Sequence, residues 1–252
     1  MREVILSKLE EIEKQYDVHI LLAVESGSRA WGFESPDSDY DVRFIYVRKQ
    51  SDDLKLEGIR DVIELPIDDT LDINGWDITK TLRLLYKSNP TLFEWFSSPI
   101  IYRKDAEFFS KFEPLLAEYF STKNGLYHYL SMAKSNYREF LQGDVVKAKK
   151  YFYVLRPILA CRWILDKAAP PPMRFTDLAS AELPVDLQSE VDRLLNIKMN
   201  TPEIKMIPRV DAINKYLDES IEEISSLIAT LDEASDKSWE ALNSLFLSTI
   251  TE

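Results

Sequence analysis

Residues 24–45 read V-E-S-G-S-R-A-W-G-F-E-S-P-D-S-D-Y-D-V-R-F-I, and how this stretch divides into elements decides the fold. The run before it, Val18 to Val24, is short, apolar and rich in branched side chains, as a buried strand is. Gly27 and Ser28 then make a turn that opens a short helix, and Pro36-Asp37-Ser38 is a second turn by composition. A second strand begins at Asp39 or Tyr40 and carries an apolar-alternating run from Val42 to Val47. Side chains on a strand repeat every two residues, so Asp39 and Asp41 are expected on one face.

Two carboxylates side by side repel each other. Such a pair is stable at neutral pH when something positive sits between them or one keeps a proton. A divalent cation is the economical solution, because Mg²⁺ takes hard oxygen ligands and keeps positions open for substrate phosphates. Gly27 lets the backbone approach a triphosphate, Ser28 offers a hydroxyl and an N–H at a helix start, and Arg29 adds charge. A calcium loop is ruled out. Asp37, Asp39 and Asp41 match its first ligands, but Val42 stands where the sharp turn needs glycine and Arg48 where a bidentate acid is needed.

Gly27-Ser28 followed by Asp39-Tyr40-Asp41 resembles the G-S…D-x-D signature of the DNA polymerase β superfamily of nucleotidyltransferases. The longer string G-S-R-A-W-G-F-E-S-P-D-S-D-Y-D-V-R is similar to one branch, predicted nucleotidyltransferases that include members associated with RNA repair operons. W-D-I-T-K-T-L-R-L-L-Y-K-S-N-P-T-L-F-E-W and, more loosely, K-K-Y-F-Y-V-L-R-P-I-L-A-C-R-W extend the likeness over roughly residues 20 to 165.

This resemblance implies transfer of a nucleoside monophosphate from an NTP such as ATP to an acceptor hydroxyl on an RNA end, a protein side chain or a small molecule, with release of pyrophosphate. Two Mg²⁺ ions, or Mn²⁺ in their place, would be held by Asp39, Asp41 and a third acid. Asp72 is expected to be that acid, because Leu71-Asp72-Ile73 has the apolar-acid-apolar pattern that the superfamily uses. Asp77 competes with it, but stands directly before the helical spacing I-T-K-T-L-R-L-L and is well explained as an N-cap. Gly27, Ser28 and Arg29 are the phosphate candidates. Lys80 and Arg83 share a helix face and are further candidates for the nucleotide, as are Lys149 and Tyr153 on a later helix. The alternative is a non-catalytic nucleotide- or partner-binding protein on the same fold, antitoxin-like or regulatory.

Around this centre the spacing predicts a helix over 2–16, a polar linker from Lys49 to Gly58, and a hairpin whose arms flank Asp68-Asp69. A helix from Ile78 to about Ser88 follows, then a short one beginning near Thr91 and a short strand in P-I-I-Y-R. Beyond Asp105 the pattern is helical: 106–119, 122–141, 145–167, 184–196, 210–231 and a short helix near Trp239, with Ala169-Pro-Pro-Pro-Met173 as the clearest loop. The expected architecture is an α/β (α+β) nucleotidyltransferase domain over residues 1–104, a mixed sheet flanked by helices, followed by an all-helical domain over 105–252.

The 252 residues, 45% hydrophobic and 29% charged, suit a globular protein with a sizeable core. No apolar run approaches a membrane span and the N-terminal pattern is not a signal peptide, so a cytoplasmic protein without membrane association is expected. A net charge of −12, from 31 basic and 43 acidic residues, disfavours an extensive non-specific nucleic-acid surface. The single cysteine, Cys161, excludes an internal disulfide and a cysteine-based zinc site, and its apolar neighbours point to a buried thiol. His19 and His128 have no second histidine or cysteine nearby to make a zinc site.

Overall fold

A computed structural model describes residues 1–53, 55–66, 70–202, 204–231 and 237–250. It forms two compact units. One comprises Met1–Ala30, Asp39–Phe120 and Asp236–Glu252, the other Trp31–Ser38 and Ser121–Ser235.

The first unit is a five-stranded mixed sheet between helices. Its strands are β1 (Val18–Glu25), β2 (Tyr40–Arg48), β3 (Val62–Glu64), β4 (Leu71–Asp77) and β5 (Ile101–Lys104), in the order β3-β4-β2-β1-β5. The β2–β4 pair is parallel and the other pairs are antiparallel. Helix α1 (Arg2–Tyr16) buries Ile5, Leu9 and Ile12, spaced by four and three residues, and these pack with Ile20, Phe44, Tyr46 and Ile73 against one sheet face. The other face is covered by α4 (Ile78–Tyr86), α5 (Pro90–Phe96), α6 (Ala106–Tyr119) and α12 (Glu240–Ile250), whose Leu82, Phe93, Phe112 and Leu245 meet Ile45 and Val47. Covered on both faces, β1 is buried at seven of its eight positions. Two short helices complete the unit, α2 (Gly27–Trp31), whose last residue Trp31 counts with the second unit, and α3 (Gln50–Asp53), the latter inside the stretch expected to be a polar linker. The expected hairpin is the antiparallel β3–β4 pair; Asp68 and Asp69 lie outside the described residues.

The second unit is helical around α8 (Ala148–Lys167), which is buried nearly all round and packs with α7 (Thr122–Phe140), α9 (Phe175–Glu182), α10 (Gln188–Asn200) and α11 (Asp211–Ala229). Three expectations need correction here. A strand ribbon exists beyond Asp105, β6 (Val145–Lys147) paired antiparallel with β7 (Met206–Pro208). Because of it α8 starts at Ala148, where the expected helix began at Val145. Helix α9 was not expected, yet Phe175, Leu178 and Ala179 form its buried face. Among the described residues no helix is long and apolar enough to cross a membrane.

Candidate active site

The end of β1 and the start of β2 are tied together through backbone. Ser26 N donates to Asp41 O at 2.8 Å, and Asp41 N donates to Glu25 Oε1 at 2.8 Å. Between them the chain turns at Gly27 with φ +57, a left-handed conformation that glycine adopts without steric cost. A β-carbon there would overlap the Asp41 carboxylate and lie 2.9 Å from its Cγ. The glycine therefore seats that carboxylate directly against the turn. On the other side of β2, Tyr40 N donates to Thr70 O at 2.8 Å, which starts the parallel pairing in a register that sets Asp41 opposite Asp72.

Asp41, Arg43 and Asp72 share one face of the sheet, since Arg43 lies two residues beyond Asp41. The Arg43 guanidinium bridges the acids. Its Nη2 donates to Asp41 Oδ1 at 3.0 Å and to Asp72 Oδ2 at 2.7 Å, and its Nη1 donates to the carbonyls of Val42 at 3.1 Å and Asp72 at 3.0 Å. The acids remain accessible, with side chains 31% and 29% exposed. Two hard carboxylates that converge on one cation beside a solvent-reachable turn are the donor set that a divalent ion needs, with phosphate and water oxygens to complete it. Asp39 does not join them. It is exposed, its carbonyl accepts a bond from Arg29 Nε at 3.0 Å, and among the described residues no three acidic, histidine or cysteine side chains gather into a metal-holding group.

Beneath Asp41 lies Glu25, fully buried. Besides the Asp41 N–H, its carboxylate accepts the hydroxyl of Tyr102. Burial pushes the Glu25 carboxyl above the usual carboxylate range, against the pull of these two donors, and the charge of Asp41 pushes the same way as burial. Burial and the Glu25 contact likewise raise Tyr102. Ser98 completes the support by donating to Glu25 O at 2.6 Å.

Other candidates are dispersed. Ser28 is buried at the start of α2, a helix of five residues that is too short for a large dipole. Arg29 sits over the Tyr40 ring, 3.7 Å from its centroid, and stays beside the turn. Asp77 closes β4, about 16 Å along the strand from Asp72 at five residues of rise, and caps α4 by accepting Thr79 N at 2.8 Å. Lys80 and Arg83 follow it to that far end, so the structure does not bring them to Asp41 and Asp72. Lys80 donates to Asp61 at 3.2 Å, and Arg83 lines a small cavity with Arg48 and Asp77. Lys149 and Tyr153 belong to α8 in the second unit, where Tyr153 packs edge-on against Trp31 at 5.8 Å. Its neighbour Tyr151 is core, bonded to Asn214 at 2.7 Å.

Exposed His19 lies 3.4 Å from Glu13 and 3.7 Å from Asp105, and His128 stacks edge-on with Tyr129. Cys161 is buried, and burial raises its thiol far above the usual range. A cavity of about 630 Å³ at the β1 entry is lined by His19, Lys49, Asp105 and Lys111, away from the paired acids. Its lysines already pair with Asp17 and Glu107, which leaves little net pull on a triphosphate.

Sequence reasoning missed Arg43, Glu25 and Tyr102. The two-residue period placed Arg43 on the face of Asp41 and could have flagged it, whereas the partners of Glu25 come from sheet pairing.

Residues 1–248 match the family model described as "RlaP: RNA repair pathway DNA polymerase beta family". The chain is 46% identical over 254 residues to "Uncharacterized protein YcgL" of Bacillus subtilis (strain 168), covering 100% of this chain and 97% of that one. It also resembles the crystal structure of a nucleotidyltransferase-like protein from Exiguobacterium sibiricum 255-15, at 12% identity and a TM-score of 0.32, covering 98% of this chain and 80% of the other.

Proposed function

Because the chain belongs to the RNA repair pathway DNA polymerase β family, we propose that it transfers a nucleoside monophosphate from an NTP to an acceptor hydroxyl and releases pyrophosphate. The observation that carries this reading is the register pair Asp41 and Asp72, two accessible carboxylates converging on one cation beside the Gly27 turn. Asp41 and Asp72 would hold Mg²⁺, with Asp39 as a further ligand once substrate is present. When bound, Mg²⁺ supplies charge for the triphosphate and eases loss of the acceptor proton.

The remaining roles fall to the chain's own groups. Asp72 orients the acceptor hydroxyl and takes its proton. The Gly27 turn seats the Asp41 carboxylate against backbone, and beside it Ser28 and Arg29 would add a hydroxyl and a positive charge for the phosphate oxygens. Glu25 holds the Asp41 backbone and so fixes where its carboxylate points. The family description makes an RNA end the first acceptor to try, and the net charge of −12 favours a locally bound end over a long duplex track.

The test supplies each of four α-labelled NTPs with Mg²⁺ or Mn²⁺ to the full chain, together with RNA, protein and small-molecule fractions of a lysate. Label should enter one fraction with the wild type and not with Asp41→Asn. A fully active Asp41→Asn protein sinks the assignment. Nucleotide binding without transfer to any fraction favours the regulatory alternative.

A further inference from the structure

Taken on that reading, we infer that Arg43 is a built-in counter-ion that occupies the seat between Asp41 and Asp72 and must leave when a divalent cation enters. One guanidinium makes four bonds there, two to the carboxylates and two to the carbonyls of Val42 and Asp72, in the fork geometry that only arginine offers. Its side chain is 19% exposed, so the contacts are partly desolvated while solvent remains close enough to receive it.

Nη2 lies within hydrogen-bond distance of an oxygen from each acid, so a cation held by both carboxylates would need the space that the guanidinium fills. Ion and guanidinium cannot both be there. The apparent affinity for a divalent cation is therefore lowered by the fraction of molecules in which Arg43 fills the seat. The device has a use in the resting protein. Without metal, Asp41 and Asp72 face each other across adjacent strands as like charges, and Arg43 between them offsets that repulsion. When it leaves, its charge needs a new partner, and the phosphates that arrive with a metal-bound NTP provide one. The seat would thus favour metal that comes with nucleotide over metal alone.

Mn²⁺ titrations of the full chain followed by the electron paramagnetic resonance of free Mn²⁺, together with melting curves in EDTA, test this without reference to turnover. Arg43→Gln should bind Mn²⁺ at least about tenfold more tightly than the wild type and melt at a lower temperature in EDTA. Arg43→Lys keeps the charge but loses the fork, so its affinity should fall between the two, and it serves in place of Arg43→Gln if that protein does not fold without metal. Equal Mn²⁺ affinity in wild type and Arg43→Gln overturns the inference and leaves the metal reading intact. Arg43→Lys at wild-type affinity beside a tight Arg43→Gln reduces the effect to net charge and also overturns seat occupancy. Absence of Mn²⁺ binding in all three proteins removes the metal reading itself.

Discussion

At one end of the parallel β2–β4 pair, Asp41 and Asp72 face each other across the Arg43 guanidinium. At the other end, five residues on and on the opposite face of the sheet, Asp77 lies beside Arg48 and Tyr46. Acids and an arginine meet at both ends, and what separates the two is how deeply the acids are buried. Asp77 is 3% exposed, accepts both Thr79 N at 2.8 Å and Thr79 Oγ1 at 2.6 Å, and its second oxygen is 3.8 Å from Arg48 Nε. Burial, with the charge of Asp77 adding, pushes the Tyr46 hydroxyl up to about 12. An acid so placed holds a helix end. Asp41 and Asp72, about a third exposed, remain within reach of an incoming ligand.

Paired substitutions are the strongest way to break this contrast. Asp72→Asn should cut transfer by about 10³-fold or more, several kcal/mol of lost charge stabilisation. It should cost about 1 kcal/mol of stability or less, since its ion pair with Arg43 is partly exposed. Asp77→Ala should do the reverse, losing about 2 kcal/mol of stability through the missing cap and the stranded Arg48 while activity per folded molecule holds. Label transfer and urea unfolding on the same preparations decide it. Transfer lost in Asp77→Ala and kept in Asp72→Asn would exchange the roles of the two ends.

Gly27→Ala sharpens the contrast within the site end. The substitution meets a backbone at φ +57 and the Asp41 carboxyl at once, so that carboxylate must move. A displacement near 1 Å is expected to cost about 10²-fold in transfer, with about 1–2 kcal/mol of stability from the left-handed backbone. Transfer at the wild-type rate would detach the turn from the chemistry.

Much of this was legible because the signals are local. The alternation from Val42 to Val47 marked β2, and an acid directly before a helical run marked Asp77 as a cap. Other features depend on pairings distant in sequence. The three-residue strands β6 and β7 are too short for a period, and they exist because Val145–Lys147 meets Met206–Pro208 about sixty residues later. Lys80 and Arg83 were correctly grouped on α4, yet the length of β4 carries that helix away from Asp72. The bridge made by Arg43 needs the Asp41–Asp72 register as well as the two-residue period, and only the period is written in one segment. Helix α12 shows an apolar face in sequence, but nothing local says that this face returns to the first sheet.

Glu25 carries the smallest effect and tests whether the site end has its own structural acid. Its carboxyl is fully buried and its pKa is raised above the ordinary 4.5. In Glu25→Gln the amide oxygen can still accept the Asp41 N–H while the amide nitrogen donates to Tyr102 Oη, so the backbone clamp survives without a charge. Below the ordinary value Glu25 is protonated in both the folded and the unfolded chain, and the stability difference between the two proteins does not change with pH there. As pH rises from that value, the unfolded chain releases the proton first, so the wild type loses stability relative to Glu25→Gln. The loss stops once pH passes the raised folded-state value, and the gap is constant above it. Urea midpoints of both proteins from pH 4 to 8 should therefore diverge on the acidic side and then run parallel. A constant difference over the whole range would mean that burial does not govern this carboxyl. Asp41 would then rest on a support already charged.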